Sequence, residues 1–235
     1  MKILAILPSF NEGGKTADVL RIFPTGVVDE ILVVDDASTD GSGESLSGKG
    51  ATILRLNQRS GCGVAIRHGL DYGRKNGFDV FVILAGNGKD DPRQIVRLLE
   101  PIKRDQADFV QGSRYLAGGK GEAMPLGRII GTHLYSFIFS FFLQKKITDA
   151  TNGFRAFRRS FLEDSRINIW QDWLDGYAVE TYLFCQSIRL GYRVMEAPVT
   201  KTYPPLKKGY SKIQPLIGWW NHFKPIPLLC LRMRK

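Results

Sequence analysis

Cysteine is scarce in this chain of 235 residues. The three present, Cys62, Cys185 and Cys230, stand far apart with no CxxC pair, which leaves neither a disulfide framework nor a cysteine zinc site and suits a reducing compartment. Histidine is equally rare, at three residues. No apolar run reaches the roughly 20 residues that cross a bilayer; the most apolar stretch is 129–143. The start, MKILAILPSF, breaks at Pro8 and lacks the length and cleavage signal of a secretory peptide. There is no internal repeat and no low-complexity tract, which excludes solenoid and fibrous architectures.

Acidic residues are missing from two places. There is none in 125–148, and the last 35 residues carry 8 basic side chains and no acidic one. That end supplies most of the formal net charge of +10, whereas residues 1–113 hold 14 basic and 15 acidic side chains. A nucleic-acid binder more often carries its basic residues on the folded domain among aromatic stacking positions, so nucleic acid is not an expected partner. A basic end beside Trp219, Trp220 and Phe223 suits an anionic membrane surface. The expectation is a cytoplasmic protein, peripheral on the cytosolic face of the membrane. It has a folded domain over 1–200 and a basic, aromatic surface tail over 201–235. Nothing in the chain indicates an oligomeric state.

What is present reads as a globular α/β chain: 43% hydrophobic and 24% charged residues. Segments 2–7, 30–35, 52–56 and 80–84 are continuous apolar runs bounded by turn residues, the pattern of strands buried on both faces of a parallel sheet. Helical spacing fills 15–23, 63–76 and 92–104 between them. Asp91-Pro92 supplies an N-cap and an N1 proline for the last of these. Alternating strands and helices predict a mostly parallel, doubly wound sheet. Its ligands belong at the carboxyl ends of the strands.

The strand ends carry the chemistry. The first strand ends in Pro8-Ser9-Phe10-Asn11-Glu12, and the second in Asp35-Asp36-Ala37-Ser38-Thr39-Asp40-Gly41. Read alone, the latter is a turn with Asx and Ser caps or a carboxylate placed for a base or ribose. Asn57 and Arg59-Ser60-Gly61-Cys62-Gly63 follow the third strand; the spacing is neither a Walker loop nor a dinucleotide fingerprint. Further on stand Gln111-Gly112-Ser113-Arg114-Tyr115, Thr148-Asp149-Ala150-Thr151-Asn152-Gly153-Phe154-Arg155 and Gly209-Tyr210-Ser211-Lys212. In this order the motifs resemble family 2 glycosyltransferases of the GT-A fold, and within them the dolichol- or polyprenyl-phosphate sugar synthases. The resemblance implies a Rossmann-like sheet flanked by helices, with C-terminal interfacial segments. It implies a UDP- or GDP-sugar donor held by Pro8, Phe10, Glu12, Asp35 and Asp36, with Gly86, Asn87 and Lys89 near the diphosphate.

One departure bears on the cofactor. The family's fourth strand ends in Asp-x-Asp, which holds a divalent cation on the diphosphate; here the chain reads Ala85-Gly86-Asn87-Gly88-Lys89-Asp90-Asp91. Three readings follow. Asn87 ligates Mg2+ or Mn2+ with help from Asp90 or Asp91; or Lys89 neutralises the diphosphate without metal; or the protein is a non-catalytic sugar-nucleotide binder.

The acceptor end centres on 125–148. Arg128, Thr132, Ser136, Ser140 and Gln144 recur every four residues, forming a polar stripe on a helix whose remaining circumference is mostly Ile, Leu and Phe. That helix is either a core helix with a solvated face or an interfacial one. In the lipid-phosphate synthases an Arg after Gly-Ser and an Arg-x-x-x-Ser pair hold the acceptor phosphate. Arg114, Arg128 and Thr132 occupy those positions, with Lys207 or Lys208 as a third basic contact. An ionised phosphate attacks without a base, and arginines position it against the donor. The resemblance implies inversion at the anomeric carbon. Asp149 is expected near the active centre. Asp175, in Leu174-Asp175-Gly176-Tyr177-Ala178-Val179-Glu180, is either a turn residue or the base for a saccharide hydroxyl acceptor, as in surface polysaccharide assembly. The leading expectation is sugar transfer from a nucleotide-sugar to polyprenyl phosphate, with the saccharide acceptor as the alternative.

Overall fold

The computed structural model describes residues 1–46 and 48–203. The Gly209–Lys212 motif, Lys207, Lys208 and the rest of the basic, aromatic tail from residue 204 on lie outside the described residues.

In chain order the elements are β1 (Ile3–Ser9), α1 (Gly13–Arg21), β2 (Glu30–Asp35), α2 (Ser42–Ser45), β3 (Thr52–Arg55), α3 (Cys62–Lys75) and β4 (Val80–Ile83). Then follow α4 (Ile95–Lys103), β5 (Phe109–Ser113), β6 (Lys120–Glu122), α5 (Leu126–Leu143), β7 (Arg155–Arg158), α6 (Arg159–Leu162), α7 (Ala178–Arg189), β8 (Val194–Pro198) and β9 (Thr200–Thr202). A 3-10 turn, Pro92–Gln94, leads into α4, and Asp91 caps it by accepting a hydrogen bond from the Arg93 amide at 3.0 Å.

The main sheet has seven strands in the order β3-β2-β1-β4-β7-β5-β8. β7 runs antiparallel to both neighbours, β4 and β5, and the other pairings are parallel. The apolar runs of β1, β2 and β4 form its centre and are largely buried on both faces. The expected double burial fails for the 52–56 run: β3 is the edge strand, with Thr52 and Arg55 exposed and Ile53 and Leu54 half-buried. Leu4 and Ile6 of β1 enter a core with α3, α5 and α7, while Ile3, Ala5 and Leu7 enter the core beneath α1 and α4. Phe109 stacks on Phe157 and Phe184 at ring separations of 5.3 and 5.6 Å, tying β5, β7 and α7 together. A second, two-stranded sheet pairs β6 with β9. The expected division after residue 200 falls inside β9.

Strand order reverses at β1, between β2 and β4, and the crevice at a reversal receives ligands in open α/β sheets. One close approach fixes its floor: a Cβ on Gly63 would meet the backbone carbonyl oxygens of Leu174 and Gly176. The Asp175 carbonyl accepts from the Gly63 amide at 2.9 Å. Only glycine lets the start of α3 sit against the turn before α7.

α5 is longer than the apolar stretch suggested, running 18 residues from Leu126 to Leu143. By length and composition alone it is apolar enough to cross a membrane. Its faces are inverted relative to a solvated helix. Thr132 and Ser136 of the polar stripe are 6% and 3% exposed, whereas Ile130 and Phe137 are 60% and 70% exposed. The buried hydroxyls have work inside the fold. Ser136 Oγ accepts from the Ala150 amide at 3.0 Å, and Ser140 Oγ accepts from the Ile147 amide at 3.0 Å. Tyr135 and Phe139 pack inward, the latter 5.2 Å from the Phe184 ring. The stripe therefore holds the 147–153 loop, and the apolar side of the helix faces outward.

Candidate active site

The strand ends and α5 enclose a cleft of about 1060 Å3. Of the residues expected from the sequence, Pro8, Phe10, Glu12, Asp36, Asn87, Lys89, Arg114, Arg128 and Thr132 line it together. Asp35, Gly86, Asp90, Asp149 and Asp175 do not line it, and each has a structural engagement of its own.

At the β1–β2 end, Asp36 accepts from the amides of Ser60 and Gly61 at 2.7 and 2.9 Å, pinning the loop after β3 to the cleft edge. Arg59 from that loop lies over the Phe10 ring, 4.4 Å from its centroid. Asp35 sits beneath, almost wholly buried, accepting from the Ser38 amide at 3.0 Å with Arg55 3.8 Å away. It shapes the turn that presents Asp36. Gly86 stitches β4 to its neighbours, its carbonyl accepting from Thr16 Oγ1 at 3.0 Å.

Beyond β4 the cleft wall turns cationic. Lys89, Arg128 and Lys201 line it. Tyr203 lies between two of them, its ring centroid 5.9 Å from Lys89 Nζ and 5.3 Å from the Arg128 guanidinium. Burial lowers the Lys89 ammonium from its ordinary pKa, and the charges of Lys201 and Arg128 push it the same way, against a smaller opposing pull from Glu12 and Asp90. Asp90 is buried and accepts from Lys201 Nζ at 2.6 Å and from the Ala85 amide at 3.2 Å.

Arg114 is held by Asp149. Its Nε and Nη2 donate to the two carboxylate oxygens at 2.6 and 2.7 Å, and the pair is buried. Nη1 donates to the Tyr203 hydroxyl. Burial alone would raise the Asp149 carboxyl, but the adjacent guanidinium outweighs it and holds the group below the ordinary carboxylate range. Asp149 is thus a partner of a cleft cation, near the centre without facing it. Thr132 Oγ1 donates to the Arg128 carbonyl at 2.9 Å and meets the Tyr115 hydroxyl.

Asp175 is turned away from the cleft. Its carboxylate pairs with Arg67, whose guanidinium also donates to the Ile169 and Gln171 carbonyls at 3.1 and 3.2 Å. The turn-residue reading describes its position. The carboxylate that this segment does present is Glu180, in the first turn of α7, which lines the cleft 3.7 Å from Arg155. Glu180, Lys201 and Tyr203 are among the cleft residues to which sequence reasoning gave no role. Glu180 ends the same hydrophobic-acidic segment as Asp175, but no pattern in the chain marks Lys201.

A divalent cation fits this wall poorly. Mg2+ and Mn2+ favour carboxylate oxygens. Here Ala85 and Gly86 offer none, and Asn87 Oδ1 accepts from the Lys89 amide at 3.2 Å. Asp90 is taken by Lys201. Among the described residues no group of three or more His, Cys, Asp or Glu is spaced to hold a metal.

An open α/β sheet with a crevice at its reversal, one side of which carries Lys89, Arg128 and Lys201, suits a phosphorylated ligand. Residues 5–166 match the glycosyl transferase family 2 model, and the chain belongs to that family and is a glycosyltransferase. It is 32% identical over 206 residues to an undecaprenyl-phosphate mannosyltransferase of Micrococcus luteus, covering 85% of this chain and 83% of that one. It is 31% identical over 220 residues to a polyprenol monophosphomannose synthase of Mycolicibacterium smegmatis, covering 90% and 81%. In fold it is similar to glucosyl-3-phosphoglycerate synthase from Mycobacterium tuberculosis, solved with Mn2+, UDP and glucosyl-3-phosphoglycerate. The TM-score is 0.71 at 18% identity, covering 100% of this chain and 81% of that one. The expected GT-A architecture, mostly parallel with flanking helices, is the one observed.

Proposed function

We propose that the protein transfers a sugar from a nucleotide-sugar donor to polyprenyl phosphate at the membrane surface, on its cytosolic face. The observation that carries this reading is the continuity between the cationic cleft and the apolar side of α5. Arg128 and Thr132 face the cleft from the same helix whose Ile130 and Leu134 line its mouth and stand exposed beside Leu126, Phe137 and Phe141. A phosphate with a long hydrocarbon tail matches both halves of that surface. The curated relatives named for undecaprenyl and polyprenol phosphate support the acceptor class.

The donor nucleotide lies, in this reading, against Pro8, Phe10, Glu12, Asp36 and Arg59, and its diphosphate against Asn87 and Lys89. The acceptor phosphate lies between Arg128 and Arg114. An ionised phosphate oxygen attacks the anomeric carbon as the bond from that carbon to the diphosphate oxygen breaks, and the electron pair leaves with the nucleoside diphosphate. No proton has to be removed, so Asp149 and Asp175 are free to serve as partners of arginines. Guanidinium groups offset the repulsion between acceptor phosphate and donor diphosphate, and fix the approach.

A second reading rests on Glu180. A carboxylate in the cleft is what a saccharide hydroxyl acceptor requires. The test is transfer of labelled sugar into organic-extractable lipid, with polyprenyl phosphate and a panel of UDP- and GDP-sugars. Labelled lipid identifies the donor and supports the first reading. Label reaching only saccharide, with loss on Glu180→Gln, replaces it by the second. Nucleotide binding without turnover on either acceptor leaves a non-catalytic binder.

A further inference from the structure

We infer that the donor diphosphate is neutralised here by a lysine pair, Lys89 and Lys201 with Arg128 beside them, and that no divalent cation takes part in binding or transfer. The inference rests on the nucleotide-sugar reading above and names what holds the donor's charge.

Three features carry it. The end of β4 offers no carboxylate to the cleft, since the positions after it are Ala85, Gly86 and Asn87. The carboxylate nearest in sequence, Asp90, is wholly buried and already bound to a cation, the ammonium of Lys201 at 2.6 Å. Lys201 is brought there by backbone pairing. Residues 90 and 201 form an isolated antiparallel bridge, and the Thr202 amide donates to the Lys89 carbonyl at 2.9 Å. β9 thus delivers a positive charge to the wall beside Lys89.

The ammonium of Lys201 has three donors. Asp90 and Asn152 take two, at 2.6 and 3.1 Å, and Lys201 lines the cleft. Lys89 lines it as well, from the turn after Asn87. A diphosphate placed there accepts charge-assisted hydrogen bonds from both lysines while Arg128 faces it from α5. During transfer the bond between the anomeric carbon and the terminal diphosphate oxygen breaks. The negative charge that develops on that oxygen meets fixed ammonium groups, which cost no reorganisation at that moment. Asp90 holds Lys201 in place, so it is a positioning residue for this role.

The experiment titrates UDP and GDP into the full-length protein by calorimetry, in EDTA and again with Mn2+ or Mg2+. It measures sugar transfer in the same buffers, with uridine and guanosine as phosphate-free controls. Affinity and rate are expected to agree within about twofold with and without metal. Lys201→Met and Lys89→Met are each expected to weaken diphosphate binding about tenfold or more while leaving nucleoside binding unchanged. Lys201→Met leaves Asp90 buried without its cation, so Asp90→Asn/Lys201→Met is the second variant, folded without a buried unpaired charge and expected to show the same loss. Binding or transfer that vanishes in EDTA and returns with metal overturns the inference and leaves the proposed function standing. Unchanged diphosphate affinity in the folded double variant also overturns it. Failure of either nucleotide to bind in any buffer removes the donor reading and this inference together.

Discussion

Asp149 and Arg114 are an almost wholly buried ion pair at the cleft wall, and each charge is compensated chiefly by the other. Two of the arginine's nitrogens are aligned on the two carboxylate oxygens at 2.6 and 2.7 Å. Removing one partner strands the other charge, so Asp149→Asn is expected to lower stability by about 3–5 kcal/mol. The pH dependence has a definite sign. The folded pKa of Asp149 lies below its ordinary value. Its contribution is therefore complete above the unfolded pKa of about 3.9 and is lost as the pH falls through the lower folded value. Urea unfolding of wild type and variant between neutral and acid pH checks both points. The gap between the two proteins should narrow on acidification, and a gap that stays constant would mean that the pair contributes nothing through ionisation. Sequence reasoning placed Arg114 and Asp149 in one region, since each sits in a recognisable motif, but could not say that they face one another. The same limit explains Asp175. A carboxylate in a turn reads alike whether it meets substrate or an arginine, and Arg67 lies more than a hundred positions away in the chain.

At the scale of elements, β1, β2 and β4 were legible because burial on both faces leaves an unbroken apolar run with turn residues at each end. β7 was not. It is a short antiparallel strand, Arg-Ala-Phe-Arg, inserted between two strands that precede it in sequence, and no local pattern encodes that neighbour choice. α5 was half legible. The four-residue recurrence of Arg128, Thr132, Ser136 and Ser140 defines a face, but periodicity does not say which face is covered. The fold decides it by giving the hydroxyls backbone partners in the 147–153 loop. The consequence is an apolar outer surface of Leu126, Ile130, Leu134, Phe137 and Phe141. Phe137→Ser/Phe141→Ser changes only side chains that are already exposed, so the unfolding midpoint should stay close to wild type. Binding to phospholipid vesicles should fall about tenfold or more, because each phenylalanine contributes on the order of 1.5–3 kcal/mol when fully withdrawn from water. Vesicle flotation beside a thermal melt distinguishes the two effects. Unaltered flotation would remove α5 from the membrane contact.

Across the whole molecule, charge and apolar surface come from different parts of the chain. Among the described residues the exposed apolar row Leu126, Ile130, Leu134, Phe137 and Phe141 belongs to α5, while the excess of 33 basic over 23 acidic side chains comes chiefly from the last 35 residues, with 8 basic and none acidic. These two sources respond differently to solution conditions. Attraction of basic residues to an anionic leaflet is worth about 1 kcal/mol each near the surface. It is screened as the Debye length shrinks from about 10 Å at 0.1 M salt to about 3 Å at 1 M. Apolar insertion is not screened and is, if anything, strengthened by excluded salts. Binding to anionic vesicles should therefore be tight at low salt and fall steeply as salt is raised, down to a floor set by α5. Neutral vesicles should show that floor at every salt concentration, and Phe137→Ser/Phe141→Ser should lower it. Flotation of wild type and variant on both vesicle types across a salt series measures the two contributions separately. A salt-independent affinity for anionic vesicles would mean that the basic excess plays no part at the surface, leaving apolar contacts to account for the binding.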